Sequence, residues 1–186
     1  MTELTSSSAP DPTEPRIAAR DGEEISLRSK DQNWLIAWHP PGTPPPGTPY
    51  GATGICVTGA GEIVLISQDG AGWDLPGGRP EGDETWEETL RRELLEEACA
   101  TVVQARLLGF CRGVCLTGPR AGRVIVRSLW RANVELGPWE PKFEITHRRV
   151  VPAVEMLDQL TIDNSYLRII SRGLAEAGLT SSDRQA

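Results

Sequence analysis

The chain lacks most of the marks that would set it outside the ordinary globular class. In its 186 residues no apolar run approaches the roughly 20 that a helix needs to span a bilayer. Residues 1–15 have neither a basic start nor an apolar centre, so a secretory leader is not expected. Basic residues are in deficit: 19 Lys and Arg face 26 Asp and Glu, for a formal net charge of −7. Tight non-specific binding to nucleic acid runs on Lys and Arg that neutralise phosphates, and this balance argues against it. A small anionic substrate held through a bound cation stays compatible with the same charge. Cysteine is scarce, with only Cys56, Cys99, Cys111 and Cys115, and a chain this long needs no disulfide framework. Cys111 and Cys115 stand four apart, a loosely zinc-like spacing, but no second close Cys or His pair accompanies them. Buried free thiols in a reducing cytoplasm are the expectation. His39 and His147 are isolated and receive no role.

With 39% hydrophobic and 24% charged residues, the chain has enough apolar content for one domain with its own core. Residues 1–22, rich in Ser, Thr, Pro and acids, read as a disordered tail; 23–178 form the domain, and 179–186 a flexible end. Short apolar segments at 25–27 and 34–38 are expected strands. Residues 39–50, HPPGTPPPGTPY, hold six prolines in twelve positions. That density excludes a helix or an inner strand and leaves a surface loop, read as a stiff connector in preference to a docking site for a proline-binding module. Segments 55–58 and 62–67 flank a turn at 59–61, a hairpin signal. Further strands are expected at 102–108, 110–116, 123–134 and 143–151, with a short helix at 154–160 and a terminal one at 165–177. This order suits an α/β fold, a mixed sheet with helices on both faces.

Residues 85–98 carry the clearest helical signal. Thr85 and Glu88 make a capping box, and Trp86, Leu90, Leu94 and Ala98 recur every four residues as an apolar stripe. Glu93, Glu96 and Glu97 are spaced i, i+3, i+4, which puts all three on an arc of about 100° that overlaps the stripe. Like charges at that spacing repel, and the C-terminal end of a helix disfavours negative charge. A divalent cation bound by these oxygens removes both penalties, and clustered oxygen ligands suit Mg²⁺ or Mn²⁺. A solvated acidic face is the competing reading, and Glu87 with Arg91 and Glu88 with Arg92 are spaced as the ion pairs it requires.

The stretch GGRPEGDETWEETLRRELLEEACA, residues 77–100, resembles the Nudix hydrolase signature, with Gly78, Glu84, Arg92, Glu93, Leu94, Glu96 and Glu97 in register. The resemblance implies a Nudix-type α/β/α sandwich and a pyrophosphohydrolase that cleaves a phosphoanhydride of a nucleoside diphosphate linked to another group. It implies Mg²⁺, or Mn²⁺, held by Glu93, Glu96 and Glu97, with Glu93 also as general base. The carbonyl of Gly77 or Gly78 is an added backbone ligand, and Arg92 orients the carboxylates with Glu84 as its partner. A small nucleotide-type substrate is the implied partner; a homo-oligomer is compatible with the sequence but is not inferable from it. Cys99 stands where the family has Gly, in a position expected to be left-handed, so a weak or inactive nucleotide-binding relative is the alternative.

A further carboxylate from after the signature is expected as a metal ligand by the same resemblance. Glu144 is the choice, Glu140 the alternative, and ordinary surface acids the plain reading. Arg123, Arg127 and Arg131 share one face of a strand and are candidates for substrate phosphates, Arg127 first among them. Trp139 is the candidate base-stacking residue, with Trp73 behind it and core packing as the default for both.

Overall fold

The structure is a computed structural model and describes residues 17–141 and 143–179. Most of both expected tails, 1–16 and 180–186, lies outside the described residues. Residues 17–22, assigned to the tail from their composition, instead dock on the domain. Ala19 is buried, its N–H donates to the Arg168 carbonyl at 3.0 Å and Gly22 N–H to the Trp38 carbonyl at 2.8 Å. Asp21 pairs with Arg172 at 2.9 Å. One small apolar residue and backbone groups make this contact, and composition does not register them.

Strands β1 (Ile25–Ser29) and β2 (Gln32–His39) form an antiparallel hairpin. Next come β3 (Thr48–Val57), β4 (Glu62–Ser67) and the two-residue β5 (Gly77–Gly78). Helix α1 (Trp86–Ala98) leads into β6 (Ala100–Cys115) and β7 (Val124–Leu136). The chain closes with β8 (His147–Pro152), a 3-10 turn (Ala153–Glu155), α2 (Met156–Gln159) and α3 (Asn164–Glu176). The sheet order is β1-β2-β6-β7-β3-β4-β8, with β5 added beside β3. The pairing of β3 with β7 is parallel and the other strand pairs are antiparallel, so the sheet is mixed.

Three expectations shift. The segments 102–108 and 110–116 are one strand, β6, because Gly109 sits inside a ladder irregularity and does not break it. A Cβ at Gly109 would strike the Trp38 ring, so glycine is there for close approach. The proline segment ends sooner than expected, since β3 already runs from Thr48. Pro49 is tolerated because β3 there pairs only with β7 and has a free edge. The last strand starts at His147, leaving Phe143 and Glu144 in a turn.

Alternation along the strands divides the core into two layers. Cys56, Val64 and Ile66 face α1 and pack with Leu90, Leu94 and Ala98. Ile55, Val57, Ile63, Leu65 and Leu129 face α3 and pack with Leu167, Ile170 and Leu174. The architecture is therefore an α/β/α sandwich. Leu90 and Leu94 are fully buried; truncating either to Ala would cost about 2–5 kcal/mol.

Candidate active site

The N-terminus of α1 is built as its sequence predicts. Thr85 Oγ1 accepts the Glu88 N–H at 3.3 Å, and Glu88 Oε2 accepts the Thr85 N–H at 2.8 Å. Glu88 is thereby occupied, so the expected Glu88–Arg92 pair does not form, whereas Arg91 does pair with Glu87 at 2.8 Å. At the other end Cys99 caps the helix in the left-handed region, φ 47° and ψ 42°. α1 has no basic residue in its last turn. Arg148 from β8 supplies that charge, donating to the Ala98 carbonyl at 2.7 Å.

Arg92 is the hub of the acidic face. Its Nε and Nη2 grip Glu84 at 2.8 and 3.0 Å, its Nη1 meets Glu93 and Glu96 at 3.1 Å each, and Nη2 also donates to the Arg79 carbonyl at 2.8 Å. The Arg92 guanidinium holds the Glu84 carboxyl down at about 2. This two-pronged fork is a geometry that Lys cannot reproduce.

The glycine pair explains how α1 meets the sheet. A Cβ on Gly77 would run into the backbone of Ala52 and Thr53, and one on Gly78 would overlap the Glu93 carboxylate. Bare backbone at both positions lets β5 pass between β3 and α1. The Gly77 N–H donates to Glu97 Oε2 at 2.8 Å. Glu97 is pushed up to about 7, first by burial and then by the negative charge of Glu93, Glu144 and Asp74, against the opposing Gly77 hydrogen bond. Burial also raises Glu93, opposed by Arg92.

Surplus negative charge thus collects where α1, β5 and the turn before β8 meet. Among the described residues no group of three His, Cys, Asp or Glu closes into a ready-made metal cage. Glu93 and Glu96 lean on Arg92, and Glu97 on Gly77. The donor set still fits a hard cation in kind: carboxylate oxygens crowded enough to raise one another's affinity for protons. Glu140 lies toward the helix end, its carbonyl accepting Cys99 Sγ at 3.4 Å.

Asp74, not singled out from the sequence, stands in the same cleft. The residue is exposed along the cleft, and desolvation of its carboxyl raises it against the Leu75 N–H bond at 2.7 Å and the pull of Arg127. Its position one residue before Leu75-Pro76-Gly77 was the available signal.

The cleft continues from Glu97 toward α3 in overlapping cavities. A cavity of about 400 Å³ is lined by Glu97, Trp73 and Asp74. The next, about 350 Å³, shares Asp74 and Gly77 with it and adds Arg127 and Tyr166. The largest, about 610 Å³, shares Arg127 and Tyr166 and extends to Tyr50, Arg79, Lys30 and Arg120. Arg127 stands beside the Gly78 carbonyl: a Cβ on Gly51 would lie 2.7 Å from that oxygen and 3.2 Å from Arg127 Nη1. Of the three arginines in the strand pattern, Arg123 and Arg127 approach Tyr50. Arg131 instead donates to the Ala177 carbonyl at 2.6 Å, at the end of α3. Trp139 is not brought to the cleft; it packs in the α1-side core, under Arg148. Trp73 does line the cleft but is covered by Arg149, 3.8 Å from its ring centroid.

An acidic helix clamped by an internal arginine, a glycine pair beneath it and a cleft across a mixed sheet define a class of α/β/α domain. The sequence profile of the NUDIX domain matches residues 48–169, and the chain belongs to that family. No curated protein matches the chain in sequence. Among solved structures, a Bacillus subtilis pyrophosphohydrolase superposes with a TM-score of 0.63 at 21% identity, covering 84% of this chain and 98% of its own. The MutT protein from Methanosarcina mazei Go1 does so at 0.54 and 19%, covering 70% and 96%. A NUDIX hydrolase from Nitrosomonas europaea matches at 0.53 and 15%, covering 72% and 90%. At such identities the likeness is one of fold. Among the described residues no helix is long and apolar enough to cross a membrane.

Proposed function

We propose that the chain is a Mg²⁺-dependent pyrophosphohydrolase that cleaves a phosphoanhydride in a nucleoside diphosphate linked to another group, such as a nucleoside triphosphate or an ADP-ribose-like compound. The observation that carries the reading is the gathering of Glu93, Glu97 and Glu144 at the head of a cleft lined by Arg127, where burial first and the neighbouring carboxylates second raise the Glu97 carboxyl to about 7. Glu93, Glu96 and Glu97, with Glu144 and the carbonyl of Gly77 or Gly78, would hold Mg²⁺ or Mn²⁺. The bound ion supplies Lewis acidity, neutralising phosphate charge and making water a better nucleophile.

The protein's own groups do the rest. Glu93 accepts a proton from the attacking water as the water oxygen bonds to phosphorus. The phosphorus–oxygen bond of the anhydride breaks, and the leaving phosphate carries away the electron pair. Arg127, beside the Gly78 carbonyl, steadies the substrate's phosphate charge. Arg92 fixes Glu93 and Glu96, and Glu84 fixes Arg92, so both act as positioning residues for the carboxylates.

The test is a screen of nucleoside triphosphates, nucleotide sugars, dinucleoside polyphosphates and coenzyme A with and without Mg²⁺. Chromatography would follow the nucleoside monophosphate and its partner product. Metal-dependent cleavage of at least one compound is expected. Nucleotide binding without cleavage of any compound would overturn the enzyme reading in favour of a binding, regulatory member of the family.

A further inference from the structure

Three cations of the cleft meet at one ring. Arg79, Arg127 and Arg123 place their guanidinium carbons 4.7, 5.0 and 5.3 Å from the centroid of Tyr50. Among the described residues none of the three is in an ion pair. Nor does any of them commit a side-chain N–H to a hydrogen bond there. Elsewhere the guanidinium groups are engaged, as those of Arg91, Arg92, Arg131 and Arg172 illustrate. The Tyr50 hydroxyl likewise makes no hydrogen bond among the described residues. Its half-buried ring belongs to neither core layer. What the ring offers is its faces, and the arginines take them.

The sheet explains how one residue gathers them. β3 runs between β5 and β7; Arg79 follows β5, Arg123 directly precedes β7 and Arg127 lies within it. Tyr50 is the extra residue of a bulge: Pro49 pairs with Val126 and Gly51 already with Arg127, so two steps on β3 oppose one on β7. A bulge leaves one residue out of the ladder and re-aims its side chain. The Arg79 backbone is fixed from the other side, its carbonyl accepting Arg92 Nη2 at 2.8 Å. The cluster is thus tied to the same hub as the acidic face. Three like charges this close repel, and the negative face of the ring offsets part of that repulsion. Without the ring, three long flexible side chains would spread into solvent, and a chain of phosphates would have to order each of them on binding.

We propose that Tyr50 is a positioning residue: its ring holds the guanidinium groups of Arg79, Arg123 and Arg127 together beside the acidic site, with their N–H donors free for the phosphate charge of the substrate. The inference rests on the hydrolase reading above. It assigns the work to the face of the ring and none to the hydroxyl, so the two can be told apart. The first measurement is calorimetry without metal at low salt, where charge is least screened, with inorganic tripolyphosphate as the probe. Tyr50→Leu, its melting temperature checked, should bind about tenfold more weakly than wild type, the order that one or two partly exposed cation–π contacts carry. Tyr50→Phe restores the ring and should restore binding. A ring-fluorinated phenylalanine at position 50 keeps the shape but removes the negative face, and should bind as weakly as Tyr50→Leu. If Tyr50→Leu does not fold, the comparison of the two phenylalanines decides.

The second measurement is kinetics with Mg²⁺ on a compound that the screen shows to be cleaved. KM should rise in Tyr50→Leu by a similar factor, with kcat little changed, and fall back in Tyr50→Phe. A loss carried by kcat at unchanged KM would overturn the inference. So would equal binding of tripolyphosphate by all the proteins, no binding by wild type, or Tyr50→Phe as weak as Tyr50→Leu. Each of these leaves the hydrolase reading intact. If no compound is cleaved, that reading fails, and calorimetry alone judges Tyr50.

Discussion

At Glu97 burial and like charge act in the same direction, and pH reports the result. Its carboxyl is pushed up to about 7 without metal, above the value of about 4.3 for an unperturbed Glu. In that window the native state holds a proton that the unfolded chain has released. Native stability from this group is therefore present at low pH and lost as pH rises through about 7. The metal-free protein should melt at a lower temperature at pH 8 than at pH 5.5, and Glu97→Gln should shrink that difference. A melting curve that moves equally in both proteins would exclude Glu97 as the cause. Cys99 offers a second residue-scale test. With φ at 47°, its side chain sits where glycine is favoured. Cys99→Gly should stabilise the fold by roughly 1 kcal/mol in chemical denaturation, and a destabilised variant would mean that the Sγ contact with the Glu140 carbonyl outweighs backbone strain.

Among the elements, α1 was legible nearly to the residue because a capping box, a four-residue apolar repeat and a carboxylate triplet all coincide on it. The clamp of Glu84 and Arg92 was legible through the family resemblance. Other parts were written in tertiary contacts. Gly109 looks like a strand breaker until Trp38 is packed against it. Tyr50 looks like the end of a proline loop until Arg79, Arg123 and Arg127 gather round it. Trp139 has the right chemistry for stacking on a base, but it packs half-buried against the α1-side core, under Arg148. The docking of residues 17–23 on α3 leaves no periodic trace, and its contribution is open to measurement. Deleting residues 1–16 leaves the docked segment intact and serves as the reference truncation. Deleting 1–22 removes the Ala19 and Asp21 contacts with Arg168 and Arg172, and the melting temperature should fall by several degrees, as a loss of 1–2 kcal/mol implies for a domain of this size. Equal melting of the two truncations would show that the segment contributes nothing.

For the whole molecule, the account is one of opposite charge set side by side in a cleft: carboxylates on α1, and Arg79, Arg123 and Arg127 gathered round Tyr50. A metal ion at the acidic end and a polyanionic substrate spanning the two would neutralise both. Because a ligand bound only by the native state stabilises it by mass action, the acidic end can be probed without knowing the substrate. The most direct measurement is a Mg²⁺ titration at pH 8 of the wild type and Glu97→Gln, following melting temperature and, with any substrate the screen supplies, turnover. Wild type should gain several degrees with Mg²⁺. Glu97→Gln should start slightly more stable, gain less, and turn over at least a hundredfold more slowly, the order expected when charged catalytic apparatus is lost. If Glu97→Gln takes up Mg²⁺ and turns over like the wild type, Glu97 is not part of a metal centre, and the acidic face of α1 is only a solvated surface.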